Sequence, residues 1–353
     1  SDVNAITSSA SYNAGDVIDI EVVFDEAVTV TGSPQLTLET GSTDRVVDYV
    51  SGSGSTKLLF KYTVQAGDTS TDLDYVATNS LALNGGTITD AAGNTATLTL
   101  ATPGNGNAGS LAHGDAIVVD TTGPSFAIAT SSAGAVINEA EDAATAGVAT
   151  VTAESGASWS VVLTGQAGSV TKTGTGNGSS QAVVLTEGNA TTLGEGAVTV
   201  SGSATDAAGN VTSVAGTNLI TIDTVGPTLY IDAVLEGDNK ANATEDDDIV
   251  ITGTSGGLEA GTTVTVTVTD SSSSAITPLT ATVRADGTWA TNAGDISGKA
   301  QGTVTLSATA VDAAGNSTAS AVTSTQLSHD SVGAVVSDVN AITSSASYNA
   351  GDV

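Results

Sequence analysis

With 353 residues, 39% of them hydrophobic, the chain can bury substantial cores but is long for a single one, which points to two to four domains. Only 7 Lys and Arg stand against 38 Asp and Glu, a net charge of −31 that excludes nucleic acid and anionic membranes as partners and makes divalent cations the natural counter-charge. There is no cysteine, so an exported chain of this kind needs a stabiliser other than disulfides, and no apolar run approaches the roughly 20 residues that would insert directly into a membrane.

In chain order the pattern reads as β almost throughout. The first stretch, from Tyr12 to Glu26, is rich in Val, Ile and acidic residues, and the pentapeptide DAAGN follows at Asp90 to Asn94. A Gly- and Asn-rich segment, Thr102 to Gly114, reads as an exposed insertion ahead of a short apolar strand and the turn Asp120 to Pro124, where Gly-Pro breaks the strand. The second stretch has Trp159, an alternating segment from Ala197 to Ser201, DAAGN again at Asp206 to Asn210, and a second turn from Asp223 to Pro227. The third has strict alternation from Thr263 to Thr269, Trp289, alternation again from Thr303 to Ser307, DAAGN at Asp312 to Asn316, and a turn at Asp330 to Ala334. Period-two alternation, strands every 8 to 12 residues and no helical stretch for crossovers predict antiparallel β-sandwiches, with both tryptophans as core anchors.

The turns set the expected boundaries: domains at 1–122, 123–225 and 226–332. Residues 337–353 then repeat residues 1–17 letter for letter, so 333–353 is read as the start of the next copy of the first domain in a unit of 336 residues. Further copies of the same repeat in one long chain are therefore expected partners. Repetition of this kind serves reach, display or adhesion more often than catalysis.

The run Asp286-Gly-Thr-Trp289, a strand, and then Ala308 to Asn316 resembles the bacterial immunoglobulin-like repeats of giant surface adhesins, of the biofilm-associated and repeats-in-toxin types; Ser203 to Asn210 shows the same ending. The stretch from Tyr12 to Glu26 resembles a related sandwich type but lacks the Gly-Thr-Trp element. The resemblance implies an all-β chain of tandem immunoglobulin-like antiparallel β-sandwich domains arranged end to end, located outside the cell on a bacterial surface. It also implies Ca²⁺ at the domain junctions.

Calcium takes about 6 to 8 oxygen ligands from carboxylates, amides and carbonyls, which DAAGN and the linker acids can offer. Asp90, Asn94 and Asp120 are expected to share an ion with Glu139, Glu141 and Asp142 next to Asn138. Asp206, Asn210 and Asp223 pair in the same way with Glu245, Asp246 and Asp247, beside Asn242 and Asp248. Asp312, Asn316 and Asp330 pair with Asp352, beside Asn349 and equivalent to Asp16. Each DAAGN is expected between the last two strands of its sandwich, at the end facing the next domain. The competing reading is a tight turn with a solvated acidic rim. Two carboxylates about 4 Å apart repel by roughly 4 kcal/mol at an effective dielectric near 20, which favours a cation wherever three converge.

His113 and His329 stand isolated and are expected at the surface, so zinc is not predicted. No nucleophile elbow, phosphate loop or dinucleotide fingerprint occurs, and no enzyme activity is expected. Two functional classes remain. One is a calcium-stiffened stalk or spacer of an extracellular adhesin or filament, with lateral association of chains left open; the other is a binding module in which the first domain contacts glycans, neighbouring chains or another cell.

Overall fold

The computed structural model describes residues 2–130, 136–138, 147–233, 235–318 and 322–337. It is all-β and antiparallel in the main, and divides into two units, one of residues 1–135 and 144–222 and the other of residues 136–143 and 223–353.

The first unit contains two sandwiches. In the first, the long strand Val17–Thr31 turns Ile18, Ile20, Val22 and Phe24 inward by simple alternation and lies between Asp2–Ala5 and Ser55–Thr63. The sheet continues through Arg45–Ser51 and Gln35–Glu39 to Asp74–Tyr75. Opposite it, Ser11–Tyr12 runs parallel to Val118–Asp120, which pairs in turn with Thr69–Ser70. Phe60, Tyr62, Leu36, Leu38 and Leu58 fill the core.

The segment read as an exposed insertion is partly built into that core. Leu111 and Ala112 of the short helix Leu111–Gly114 are buried, Gly104 N–H donates to Asp74 Oδ2 (2.7 Å), and Val3 N–H donates to the carbonyl of Gly109 (3.0 Å). Composition favoured exposure because glycine and asparagine outnumber the two apolar residues that anchor the segment.

The second sandwich sets Phe126–Thr130, Ala149–Ala153 and Ser180–Val183 against a sheet of Val211–Ile222, Gly196–Thr205, Ser158–Thr164 and Ser169–Thr175. Val198 and Val200 point inward, as the alternation requires. Trp159 is a core residue whose ring lies over Gly174; a Cβ there would come within 2.4 Å of the indole.

The second unit contains the third sandwich. Thr263–Thr269 buries Val264, Val266 and Val268 between Leu279–Thr282 and Thr305–Ala310. The facing strands are Thr228–Ile231, Thr252–Gly256 and Thr288–Ala290, and Trp289 is fully buried with its ring over Gly253. Lys240–Ala241 runs parallel to Ser328–His329, the same pairing of first and last short strands as in the first sandwich.

Candidate junction site

Each DAAGN folds into the same hairpin turn. The backbone closes through Asp90 N–H to the carbonyl of Asn94 (2.9 Å), with the matching bonds Asp206 to Asn210 (3.2 Å) and Asp312 to Asn316 (3.0 Å). One carboxylate oxygen of the aspartate then accepts the N–H of the last residue: Asn94 at 2.8 Å, Asn210 at 2.9 Å and Asn316 at 2.8 Å. The glycine takes φ of 91°, 90° and 94° at Gly93, Gly209 and Gly315, a region closed to most side chains, which is why the fourth position is glycine. The asparagine amide donates to the other carboxylate oxygen, at 2.6, 2.9 and 3.1 Å in the three turns. At Asp90 these bonds, the Asn94 amide first, hold the carboxyl below its ordinary range.

At two of the turns the asparagine makes a further bond to a linker. Asn210 Nδ2 donates to the carbonyl of Asp120 (2.8 Å), and Asn316 Nδ2 donates to the carbonyl of Asp223 (2.7 Å). A second asparagine, from the early loop of the preceding sandwich, faces the same turn. Asn138 Nδ2 donates to the carbonyl of Ala314 (2.9 Å), and a Cβ on Gly315 would lie 2.9 Å from that nitrogen. At the other junction a Cβ on Gly209 would lie 3.1 Å from Asn13 Nδ2. The early loops are themselves capped turns, with Asn13 N–H donating to Asp16 and Asn242 N–H to Glu245.

This geometry corrects the expected pairing. DAAGN does lie between neighbouring strands, Gly196–Thr205 with Val211–Ile222 and Thr305–Ala310 with Val322–Ser324, but it meets the linker that enters its sandwich and not the one that leaves it. Asp206 and Asp223 bracket the twelve-residue strand Val211–Ile222, which at about 3.3 Å per residue separates them by roughly 40 Å. The early acidic loop is displaced by one sandwich in the opposite sense. Asp330 N–H donates to the carbonyl of Ala241 (3.0 Å), which sets the loop carrying Asn242, Glu245, Asp246 and Asp247 beside the linker leaving the third sandwich. Likewise Asp223 N–H donates to the carbonyl of Ile137 (2.9 Å), one residue before Asn138. Connectivity alone carries this signal, because a turn that opens the final strand and a linker that closes it lie at opposite ends.

His329 is buried, not at the surface, with Nε2 3.1 Å from Asp246 Oδ2, so Asp246 serves the sandwich interior. His113 is exposed, its Nδ1 2.8 Å from the carbonyl oxygen of Asn105. A related turn escaped the sequence reading. Asp270 to Ser274 has the same capped geometry, with Ser273 at φ 66°, but its second carboxylate oxygen accepts Ala300 N–H (2.9 Å) where DAAGN supplies an asparagine, so it makes no linker contact of this type. Its signal was an aspartate followed by small residues between two alternating strands.

The fit to calcium can be judged from the donors. In each DAAGN the aspartate accepts bonds on both oxygens, and the groups that meet at the junctions are amides and carbonyls. Among the described residues no three Asp, Glu or His side chains are grouped so as to hold a metal ion. The described residues therefore do not form a carboxylate cage for calcium. Glu139, Glu141, Asp142 and Asp352 lie outside the described residues.

No family model matches the chain, and no curated protein matches it. Several of the solved structures similar to it come from large bacterial adhesins. A 1.5-MDa bacterial ice-binding adhesin shares 20% identity over 94% of this chain and 98% of that one, with a TM-score of 0.38. A Ca²⁺-stabilised adhesin with which an Antarctic bacterium binds ice shares 24% over 94% and 74%, with a TM-score of 0.44. A tetra-tandem repeat from the extending region of a large adhesion protein shares 18% over 94% and 74%, with a TM-score of 0.32. These likenesses are remote, and the functional reading rests on the chain's own residues.

Proposed function

We propose that the chain is a spacer segment of a long extracellular adhesin-type stalk, built from three sandwiches bounded near residues 122, 225 and 332 and continued by further copies of itself. The observation that carries this reading is the recurring clasp: Asn210 on the Asp120 linker and Asn316 on the Asp223 linker use one side-chain chemistry at equivalent places. A clasp made by an amide on a main-chain carbonyl fixes a linker without regard to its side chains, which suits a device repeated many times. The exact recurrence of residues 1–17 at 337–353 supports the tandem reading.

Calcium enters this proposal through charge. A chain of net charge −31 with acidic loops beside its linkers is relieved by a divalent cation at the concentrations, about 10⁻⁴ to 10⁻³ M, at which extracellular calcium modules bind. The test uses chains of one, two and three consecutive copies in small-angle scattering. A maximum dimension that rises in proportion to copy number supports the stalk, and one that grows as a cube root, as in a compact globule, overturns it. Calorimetry with millimolar calcium tests the second part. No heat of binding together with an unchanged melting temperature in chelator removes calcium and leaves the stalk standing.

A further inference from the structure

The first DAAGN turn, Asp90 to Asn94, has the same internal bonds as the other two, but its asparagine meets no linker carbonyl among the described residues. Burial follows that difference. Asn316 is 2% exposed and Asn210 half-buried, whereas Asn94 is exposed; Ala208 is buried and Ala314 half-buried, whereas Ala92 is exposed. At the far end of the chain a complementary set is presented. Asp330 follows the last strand and is held by Ala241 as Asp223 is held by Ile137, yet it is exposed, and among the described residues no asparagine amide reaches its carbonyl. Asn242 stands next to it, exposed, on a turn capped by Glu245, as Asn13 stands on a turn capped by Asp16.

We infer that the Asp90–Asn94 turn is a docking site for a second copy of this chain: Asn94 Nδ2 donates to the carbonyl of the preceding copy's Asp330, and the preceding copy's Asn242 donates to the carbonyl of Ala92. The occupant is identified by the sequence, since the residues after the Asp330 linker repeat Ser1 to Val17 and so begin another module of the kind that carries this turn. The chemistry matches the two clasps already formed, Asn316 on Asp223 with Asn138 on Ala314, and Asn210 on Asp120. The turn also borders a surface cleft lined by Phe24, Asp25, Glu26 and Ala96. The inference rests on the tandem reading above and adds that the boundary between copies is closed in the same way as the boundaries within one.

A cysteine-free chain makes the test clean. In the first junction a Cβ on Gly123 would lie 2.6 Å from Thr212 Oγ1, so a cysteine at each of these two positions provides the reference cross-link. The equivalent pair at the boundary between copies is Gly333→Cys in the first copy and Ala96→Cys in the second, placed in a chain of two consecutive 336-residue copies. The expected result is that both pairs oxidise to the same extent, read by non-reducing electrophoresis and peptide mass. Adding Asn94→Ala to the second copy should slow the Gly333→Cys/Ala96→Cys closure about fivefold, the loss of about one hydrogen bond. If Gly123→Cys/Thr212→Cys closes and Gly333→Cys/Ala96→Cys does not, the inference falls while the stalk reading stands. Failure of both pairs removes the clasp geometry and the inference with it. Closure that is indifferent to Asn94→Ala overturns the assigned role of that amide.

Discussion

Replacing Asn316 by alanine tests the clasp most directly. The wild-type side chain is buried and donates to the Asp223 carbonyl at 2.7 Å and to the Asp312 carboxylate at 3.1 Å. Losing a neutral hydrogen bond costs about 1 kcal/mol, and losing one to a charged group costs about 1.5 to 3 kcal/mol, so Asn316→Ala should destabilise the third sandwich by about 3 kcal/mol. Urea unfolding followed by Trp289 fluorescence, in a Trp159→Phe background, isolates that sandwich. With a slope of about 1 to 1.5 kcal/mol per M for a module of this size, the midpoint should fall by roughly 2 to 3 M. Asn210→Ala, followed through Trp159 in a Trp289→Phe background, should give a shift of the same kind but smaller, because Asn210 is only half-buried. An Asn316→Ala unfolding free energy within about 0.5 kcal/mol of wild type, the range of an ordinary surface substitution, would refute the reasoning.

Other expectations concern the cores. Gly253→Ala drives a methyl to 2.3 Å from the Trp289 ring and 2.1 Å from the Tyr230 carbonyl, so it should cost about 1 to 3 kcal/mol in a thermal melt and alter Trp289 emission; an unchanged spectrum and melt would mean that the ring is not seated on that glycine. Tyr62→Phe removes a 2.6 Å bond to buried Asp68 and should destabilise the first sandwich by about 1 to 2 kcal/mol, measured by near-ultraviolet tyrosine dichroism. Burial pushes the Asp68 carboxyl up, but bonds from Arg45, Tyr62 and Gln65 N–H together hold it below its usual range. Its stabilising contribution is therefore complete above the ordinary carboxylate pKa of about 4 and is lost as pH falls through the lower folded value. Acid titration of the same dichroism should show stability flat near neutrality and falling below about pH 4, and Asp68→Asn should flatten that fall; an identical acid profile in the variant would assign the fall to other carboxylates.

The sandwiches were legible in the chain because their signal is local. Alternation from Thr263 to Thr269 placed Val264, Val266 and Val268 inside, and each tryptophan is a core anchor facing a glycine that leaves room for its ring. The DAAGN turn was equally legible, since Asp, Gly and Asn each have one physical task within five residues. What it touches was not. Partnership with a linker depends on which end of a sandwich a turn occupies, a property of strand direction that residue types do not encode, and the expected grouping came out displaced by one module. His329 shows the same limit: nothing near it in sequence announces Asp246, and only the parallel pairing of Lys240–Ala241 with Ser328–His329 brings them together.

That parallel pairing also fixes how a sandwich resists tension. In the first sandwich Ser11–Tyr12 and Val118–Asp120 lie side by side in the same direction, one near the point where the chain comes in and the other at the point where it departs, and Lys240–Ala241 with Ser328–His329 repeats the arrangement. Pulling on the two ends loads such a pair along its strands, so the bonds between them are sheared together and none can be peeled open first. An antiparallel pair in the same place would unzip one bond at a time under much smaller force. In the stalk proposed above, modules loaded this way would yield abruptly, one by one, each yielding releasing hidden length.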